Sequence, residues 1–243
     1  MKTLHRYGYE IAYHQVKGKS PCVIFCGGFN SNMQGTKAMA LQKHCLDHGQ
    51  AYIRFDYFAH GQSAGDFAEG SISQWLADTL AVIDHAADDV VLVGSSMGGW
   101  LAMLAALQRP DRVKGLLLIA CAADMTQYYP ERIHRLKKEI DSQHRVFYSV
   151  PNAYDDQEPY RIYQHLIDDG EQHFLLNAPI PLDIPVHLIH GQKDDVVPWQ
   201  RSETVLELLI SKNATLHLVK HGDHRLSHAS DLNLIKAILE LLL

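Results

Sequence analysis

The chain has 243 residues, 47% of them hydrophobic and 21% charged, with a formal net charge of −6. This is the balance of one globular domain with a sizeable core, not of a disordered or fibrous chain. With no clustered Lys and Arg a nucleic-acid partner is not expected, and with no apolar run of about 18 residues or more, neither is stable membrane insertion.

The opening MKTLHRYGYE carries no apolar core and no Arg/Ser-rich amphipathic stretch, so no signal or transit peptide is expected. Cys22, Cys26, Cys45 and Cys121 follow neither a metal-ligand spacing nor a disulfide framework. Free thiols suit a reducing compartment, and the cytoplasm is the expected location.

The predicted elements alternate. An exposed strand over Tyr9–His14 precedes a buried one over Pro21–Cys26, a helix over Gly35–Asp47 and a strand over Ala51–Phe55. A helix over Ile72–His85 follows, with Ser71 as its cap and Trp75, Leu76, Leu80 and Ile83 as its apolar stripe. Next come a strand Val90–Val93, a helix Met97–Leu107 stopped at Arg109-Pro110, and a strand Leu116–Ala120. After a long interval the pattern resumes with a strand Pro185–Ile189, a helix Trp199–Ile210, a strand Thr215–Val219 and a helix Asp231–Leu242. Near-continuous Val/Ile/Leu strands between amphipathic segments predict a mostly parallel, doubly wound α/β sheet within one domain, 1–243. The interval, about 124–181, is too long for a plain connection. Its charge, tyrosines and five prolines predict a small helical lid.

The strongest motif is DVVLVGSSMGGW, where a buried strand runs into Gly94-Ser95-Ser96-Met97-Gly98 and then an Ala/Leu-rich helix. G-x-S-x-G between a strand and a helix is the pattern of a nucleophile elbow. The serine sits on a tight turn, so the positions two before and two after it need almost no side chain. Ser96 has glycine at both; Ser95 does not. The turn aims the Ser96 hydroxyl off the strand end, beside the helix N-terminus, and leaves the Met97 N–H to stabilise an oxyanion.

A serine hydroxyl needs a base, and the base an acid to orient it. In a strand–elbow–helix arrangement the chain order is serine, acid, histidine. After the Pro185–Ile189 strand comes HGQKDDVVP, which offers Asp194 as the acid, Asp195 as its exposed neighbour and Asp124, after an earlier strand, as a competitor. After Thr215–Val219 comes KHGDHR, which offers His224 as the base; His221, His228, His190 and His60 read as surface or structural residues. The loop Gly27-Gly28-Phe29-Asn30-Ser31, leaving the first buried strand, offers the Phe29 N–H as second oxyanion donor.

The segments CGGFNSNMQGTKA, RFDYFAHGQSAG, GSSMGGWLAMLAA, HGQKDDVVPW and HGDHR resemble the α/β-hydrolase superfamily over nearly the whole chain. Gln108-Arg109-Pro110-Asp111 and DDVVPW favour the branch typified by abhydrolase domain-containing protein 10. The resemblance implies an α/β-hydrolase fold with Ser96 as nucleophile, Asp194 as acid, His224 as base and Phe29 and Met97 as oxyanion donors. It also implies a palmitoyl-protein thioesterase or acyl-glucuronide esterase type of activity. The chain departs from that branch in its start, where the presequence of a mitochondrial relative is missing, and most in the lid.

The expected function is therefore cleavage of an ester or thioester, on a small molecule or an acylated protein, through an acyl-enzyme and without cofactor or metal. Tyr128, Tyr129, Phe147, Tyr148, Tyr154, Tyr160 and Tyr163 could line an acyl groove or pack the lid onto the core. Two other readings remain. One is a peptidase of the same fold, for which Asp155, Asp156 and Glu158 would be an acidic cluster, although beside Pro159 they read as a solvated turn. The other is a catalytically inactive fold used for binding, which retention of all three candidate groups argues against.

Overall fold

The computed structural model describes residues 1–6, 8–128, 136–151 and 159–243. In chain order its main elements are β1 (Lys2–Arg6), β2 (Tyr9–Val16), β3 (Lys19–Cys26), α1 (Thr36–Asp47), β4 (Gln50–Phe55) and α2 (Ile72–His85). They continue with β5 (Val90–Ser95), α3 (Met97–Gln108), β6 (Val113–Ile119), β7 (Lys138–Ile140), β8 (Val146–Val150) and β9 (Tyr160–Tyr163). The last are α4 (Gln164–Glu171), β10 (Val186–Gly191), α5 (Gln200–Leu208), β11 (Ala214–Val219) and α6 (Ala229–Glu240).

Eight strands form one sheet in the order β1-β2-β4-β3-β5-β6-β10-β11. The first two strands run antiparallel to their neighbours, and from β4 onward every pair is parallel. This is the mostly parallel sheet expected from the alternation of elements, and the α/β-hydrolase fold that the motif resemblance implies. The period of two along each strand builds two cores. Cys22, Ile24, Leu92, Leu116 and Leu118 face the side packed by Trp75 of α2 and Trp100 of α3. Val23, Phe25, Val91, Val93, Leu117 and Ile119 face Leu41 of α1 and Ile235 and Leu239 of α6. Burial on both faces explains why these strands read as unbroken apolar runs. Each such side chain contributes about 1.5–3 kcal/mol by leaving water.

The α2 helix is bounded as its cap predicts: the Ser71 Oγ accepts from the Gln74 N–H at 3.2 Å. The interval between β6 and β10 differs from expectation. Its described residues form a three-stranded antiparallel sheet, β7-β8-β9, followed by α4, rather than a mainly helical cap. Val146-Phe147-Tyr148-Ser149-Val150 has the β-branched and aromatic content that suits a pleated surface. A turn over 141–145, closed by Asp141 Oδ1 accepting from the Gln143 and Arg145 N–H groups, joins β7 to β8.

Candidate active site

All candidate groups leave the C-terminal ends of parallel strands. Ser96 follows β5, the Gly27–Ser31 loop follows β3, Asp194 follows β10, and His224 follows β11. Ligands of open α/β sheets gather at this edge.

Ser96 has φ 56° and ψ −120°, a left-handed conformation uncommon for a residue with a side chain. It is held by its own peptide groups. The Ser96 N–H donates to Ile119 O at 2.9 Å, and its carbonyl accepts from the Gly99 N–H at 2.9 Å and the Ala122 N–H at 3.1 Å. The flanking glycines are required by contact. A Cβ at position 98 would lie 2.1 Å from the Cys26 carbonyl oxygen, and one at position 94 would lie 2.3 Å from the Gly98 oxygen.

His224 Nε2 lies 3.1 Å from Ser96 Oγ, and its Nδ1 lies 2.7 Å from Asp194 Oδ2. Three residues separated by up to 128 positions thus form one hydrogen-bonded line. The loops carrying acid and base are joined through their backbones. The Gln192 N–H donates to Val219 O and the Lys193 N–H to Gly222 O, each at 2.9 Å. A Cβ on Gly191 would lie 2.2 Å from the Gly222 oxygen, so these loops meet only because that position is bare.

The Asp194 side chain is fully buried. Burial alone would raise its carboxyl, but donors from His190 and His224, with the Val197 N–H, hold it well below the usual carboxylate range. Its Oδ1 accepts from the Val196 and Val197 N–H groups at 2.9 and 2.8 Å. Its Oδ2 is shared by His224 and by His190 Nε2, the latter at 2.9 Å. His190 Nε2 also faces the Val197 carbonyl at 3.1 Å, and a nitrogen between two acceptors must carry the proton. The Ser202 hydroxyl, 2.7 Å from His190 Nδ1, then donates to it. His190, read as structural in the sequence, is a direct neighbour of the acid. The signal was its place four residues before Asp194 at the strand exit.

On the opposite side of Ser96 the Gly27–Ser31 loop turns back on itself, the Ser31 Oγ donating to Gly28 O at 2.7 Å. It packs so closely that a Cβ at position 28 would stand 3.4 Å from the Ser96 Cβ. Among the described residues neither the Phe29 N–H, in its loop, nor the Met97 N–H, at the start of α3, donates to a backbone carbonyl outside α3. Asn30, at φ 52°, donates its N–H to His60 Nε2 at 3.2 Å. His60 Nδ1 then donates to Phe58 O at 3.0 Å, and burial pushes the His60 imidazole down to about 4. His60 is structural, as read from the sequence, and what it supports is the loop carrying Phe29.

The competing acids are accounted for. Asp195 is exposed. Asp124 is buried and accepts from the Leu175 and Leu176 N–H groups at 2.9 Å each, tying the chain after α4 to the end of β6. His221 is exposed, and His228 is the N-cap of α6. Of the lid aromatics, Phe147 and Tyr163 pack on each other at 5.6 Å, whereas Tyr160 packs edge-on to Phe29 at 5.7 Å. Tyr148 donates to Gln164 Oε1. Tyr129, Tyr154, Asp155, Asp156 and Glu158 lie outside the described residues, as does the side chain of Tyr128. A cavity of about 460 Å³ opens beside Ser96 and His224, and its lining includes Phe25, Phe29, Tyr160, Asn30 and Lys37.

A family model described as alpha/beta hydrolase family matches residues 23–233. The chain belongs to the alpha/beta hydrolase family. Over 229 residues this hydrolase is 42% identical to the Mus musculus protein named palmitoyl-protein thioesterase ABHD10, mitochondrial, covering 93% of this chain and 76% of that one. The structure of alpha/beta hydrolase domain-containing protein 10 from mouse superposes with a TM-score of 0.89 at 38% identity, over 99% of this chain and 97% of that one. A putative hydrolase from Agrobacterium vitis S4 gives 0.85 at 31% identity, over 99% and 97%. The branch resemblance read from the motifs is thereby borne out. The mitochondrial location in the relative's name differs from the cytoplasmic one expected here. No helix among the described residues is long and apolar enough to cross a membrane.

Proposed function

We propose that this hydrolase cleaves an ester or thioester by a Ser96–His224–Asp194 triad. The observation that carries the reading is His224, with one nitrogen 3.1 Å from the Ser96 hydroxyl and the other 2.7 Å from Asp194. Ser96 Oγ attacks the carbonyl carbon while its proton passes to His224 Nε2. Asp194, held ionised, stabilises the imidazolium but keeps no proton of its own. The Phe29 and Met97 N–H groups receive the oxyanion. As the intermediate collapses, the bond to the alcohol or thiol breaks and the leaving group takes the proton from Nε2. Water then gives a proton to His224 and attacks the acyl carbon; the bond to Ser96 Oγ breaks, and Oγ takes that proton back as the acid leaves.

In this reading residues 124–181 are a lid on a single domain, 1–243. The substrate is a small molecule or an acylated protein, and the name of the mouse relative, a palmitoyl-protein thioesterase, favours the second. The aromatic rings of Phe29 and Tyr160 suit an acyl chain, and the polar side chains of Asn30 and Lys37 suit a hydrated leaving group. Four buried free thiols fit a reducing compartment, a property the cytoplasm shares with the mitochondrial matrix; fractionation of tagged full chain separates the two.

Labelling with a fluorophosphonate probe tests the mechanism, with loss of label in Ser96→Ala expected. Labelling that persists in Ser96→Ala, or folded wild type that takes no label, overturns it. An acyl-length series of p-nitrophenyl esters and palmitoyl thioesters, read as kcat/KM, then ranks substrates.

A further inference from the structure

Away from the cavity, α1 and α6 lie side by side on one face of the sheet and their C-terminal ends converge. Asp47 closes α1 and Glu240 closes α6. His44 and His48 stand four residues apart, one in the last turn of α1 and the other its cap, so both rings project from one helix face. His44 Nε2 lies 2.7 Å from Glu240 Oε1, and the two rings are 4.3 Å apart between centroids. One ligand atom from each of His44, His48 and Glu240 lies within 4.8 Å of the other two.

Two further features suit a cation at this point. Both helices end here, and a helix C-terminus carries about half a negative charge. The His48 Nδ1 lies 2.8 Å from the His44 carbonyl. A backbone carbonyl only accepts, so Nδ1 carries the proton and the lone pair sits on Nε2. A ring oriented in this way by a carbonyl is how protein histidines are prepared to ligate metal.

We infer that His44, His48 and Glu240 form a surface site for a divalent transition ion of the zinc class, bound by two imidazoles, one carboxylate and water. Zinc takes nitrogen at about 2.0–2.1 Å and carboxylate oxygen at about 2.0–2.2 Å in a tetrahedron, which sets neighbouring ligand atoms about 3.3 Å apart. The His44–Glu240 pair needs to open by about half an ångström from its hydrogen-bonded spacing, and the ion takes the place of the proton they share, which is released to solvent. Glu240 is half exposed and has three side-chain torsions with which to do so. Imidazole ligands favour zinc, copper and nickel over calcium or magnesium. The ion would clip the far ends of two helices whose near ends flank the cavity, where α1 follows the Phe29 loop and α6 follows the His224 loop. The sequence reading expected no metal, and ligand spacing suggested none; the proposed site departs from that reading and lies apart from the catalytic groups.

The test titrates the chelator-treated full chain with zinc chloride by calorimetry. It also titrates with cobalt(II), whose visible absorption reports tetrahedral coordination. One equivalent is expected in wild type, with a rise in Tm on adding zinc. Affinity is expected to fall by about tenfold or more in His48→Ala and in Glu240→Gln. Near-UV circular dichroism checks that each variant is folded, and Glu240→Gln, an isosteric change on a half-exposed side chain, keeps the test open if His48→Ala does not fold. Zinc bound with unchanged affinity by Glu240→Gln, no tetrahedral cobalt spectrum in wild type, or no zinc uptake at all, each overturns the site.

Discussion

His60 makes a stability prediction whose size follows from its surroundings. It is 2% exposed, and its Nε2 must accept the Asn30 N–H, which only a neutral ring can do. Burial holds the folded imidazole down to about 4, whereas an unfolded one titrates near 6.5. Between those values the unfolded chain takes up a proton that the folded chain refuses. The His60 contribution is therefore fully present above about pH 6.5 and is lost as pH falls toward 4. Each pH unit in that window is worth about 1.4 kcal/mol, so the full loss is about 3 kcal/mol. Glutamine at position 60 can accept from Asn30 and donate to Phe58 O without titrating. Denaturant unfolding of wild type and His60→Gln at intervals from pH 7 to 4 is the assay. His60→Gln starts less stable at pH 7, and the two curves should converge by about 3 kcal/mol as pH falls. Curves that stay parallel across the window would refute the neutral, loop-bearing role given to this ring.

Four other outcomes follow from the contacts. Ser96→Ala should cut kcat by about 10⁴ or more while leaving Tm near or above that of wild type, since alanine abolishes only the hydroxyl. In Asp194→Asn the His224 ring loses its anionic partner and its fixed tautomer, and a fall of about 10⁴ in kcat is expected in an ester assay. Gly98→Ala puts a Cβ 2.1 Å from the Cys26 carbonyl oxygen. A loss of about 3 kcal/mol or more in denaturant unfolding should follow, and a change under about 0.5 kcal/mol would show that the elbow is not tightly packed. His190→Leu strands the Ser202 hydroxyl and removes a donor from Asp194, with an expected cost of about 1–3 kcal/mol in the same measurement.

The sheet was legible because burial on both faces leaves a strong imprint. Runs such as Val90–Val93 and Leu116–Ala120 carry no polar residue, and the matching strands extend past them by only a residue or a few. The Ser71 cap fixed α2 to the residue for the same reason that caps are local: donor and acceptor are three positions apart. Ser96, Asp194 and His224 could be chosen because each stands just beyond a legible strand. The β7-β8-β9 sheet was not legible. Its strands mix Lys138, Glu139 and Arg161 with apolar residues, so no unbroken apolar run marks them although they pair as sequence neighbours. β1 was missed because it is mostly exposed and packs on one face only. His44 escaped notice because its partner Glu240 is 196 positions away, whereas His190, read as structural, carried a local signal in its place four residues before Asp194.

Among the described residues, every hydrogen bond linking Ser96, His224 and Asp194 originates in loops of the eight-stranded sheet, and none comes from 124–181. Among the described residues lining the cavity, only Tyr160 comes from 124–181. On the proposed reading, changes in that segment should leave the contacts among Ser96, His224 and Asp194 in register, and those at Tyr160 should alter which acyl groups are accepted before they alter how they are cut.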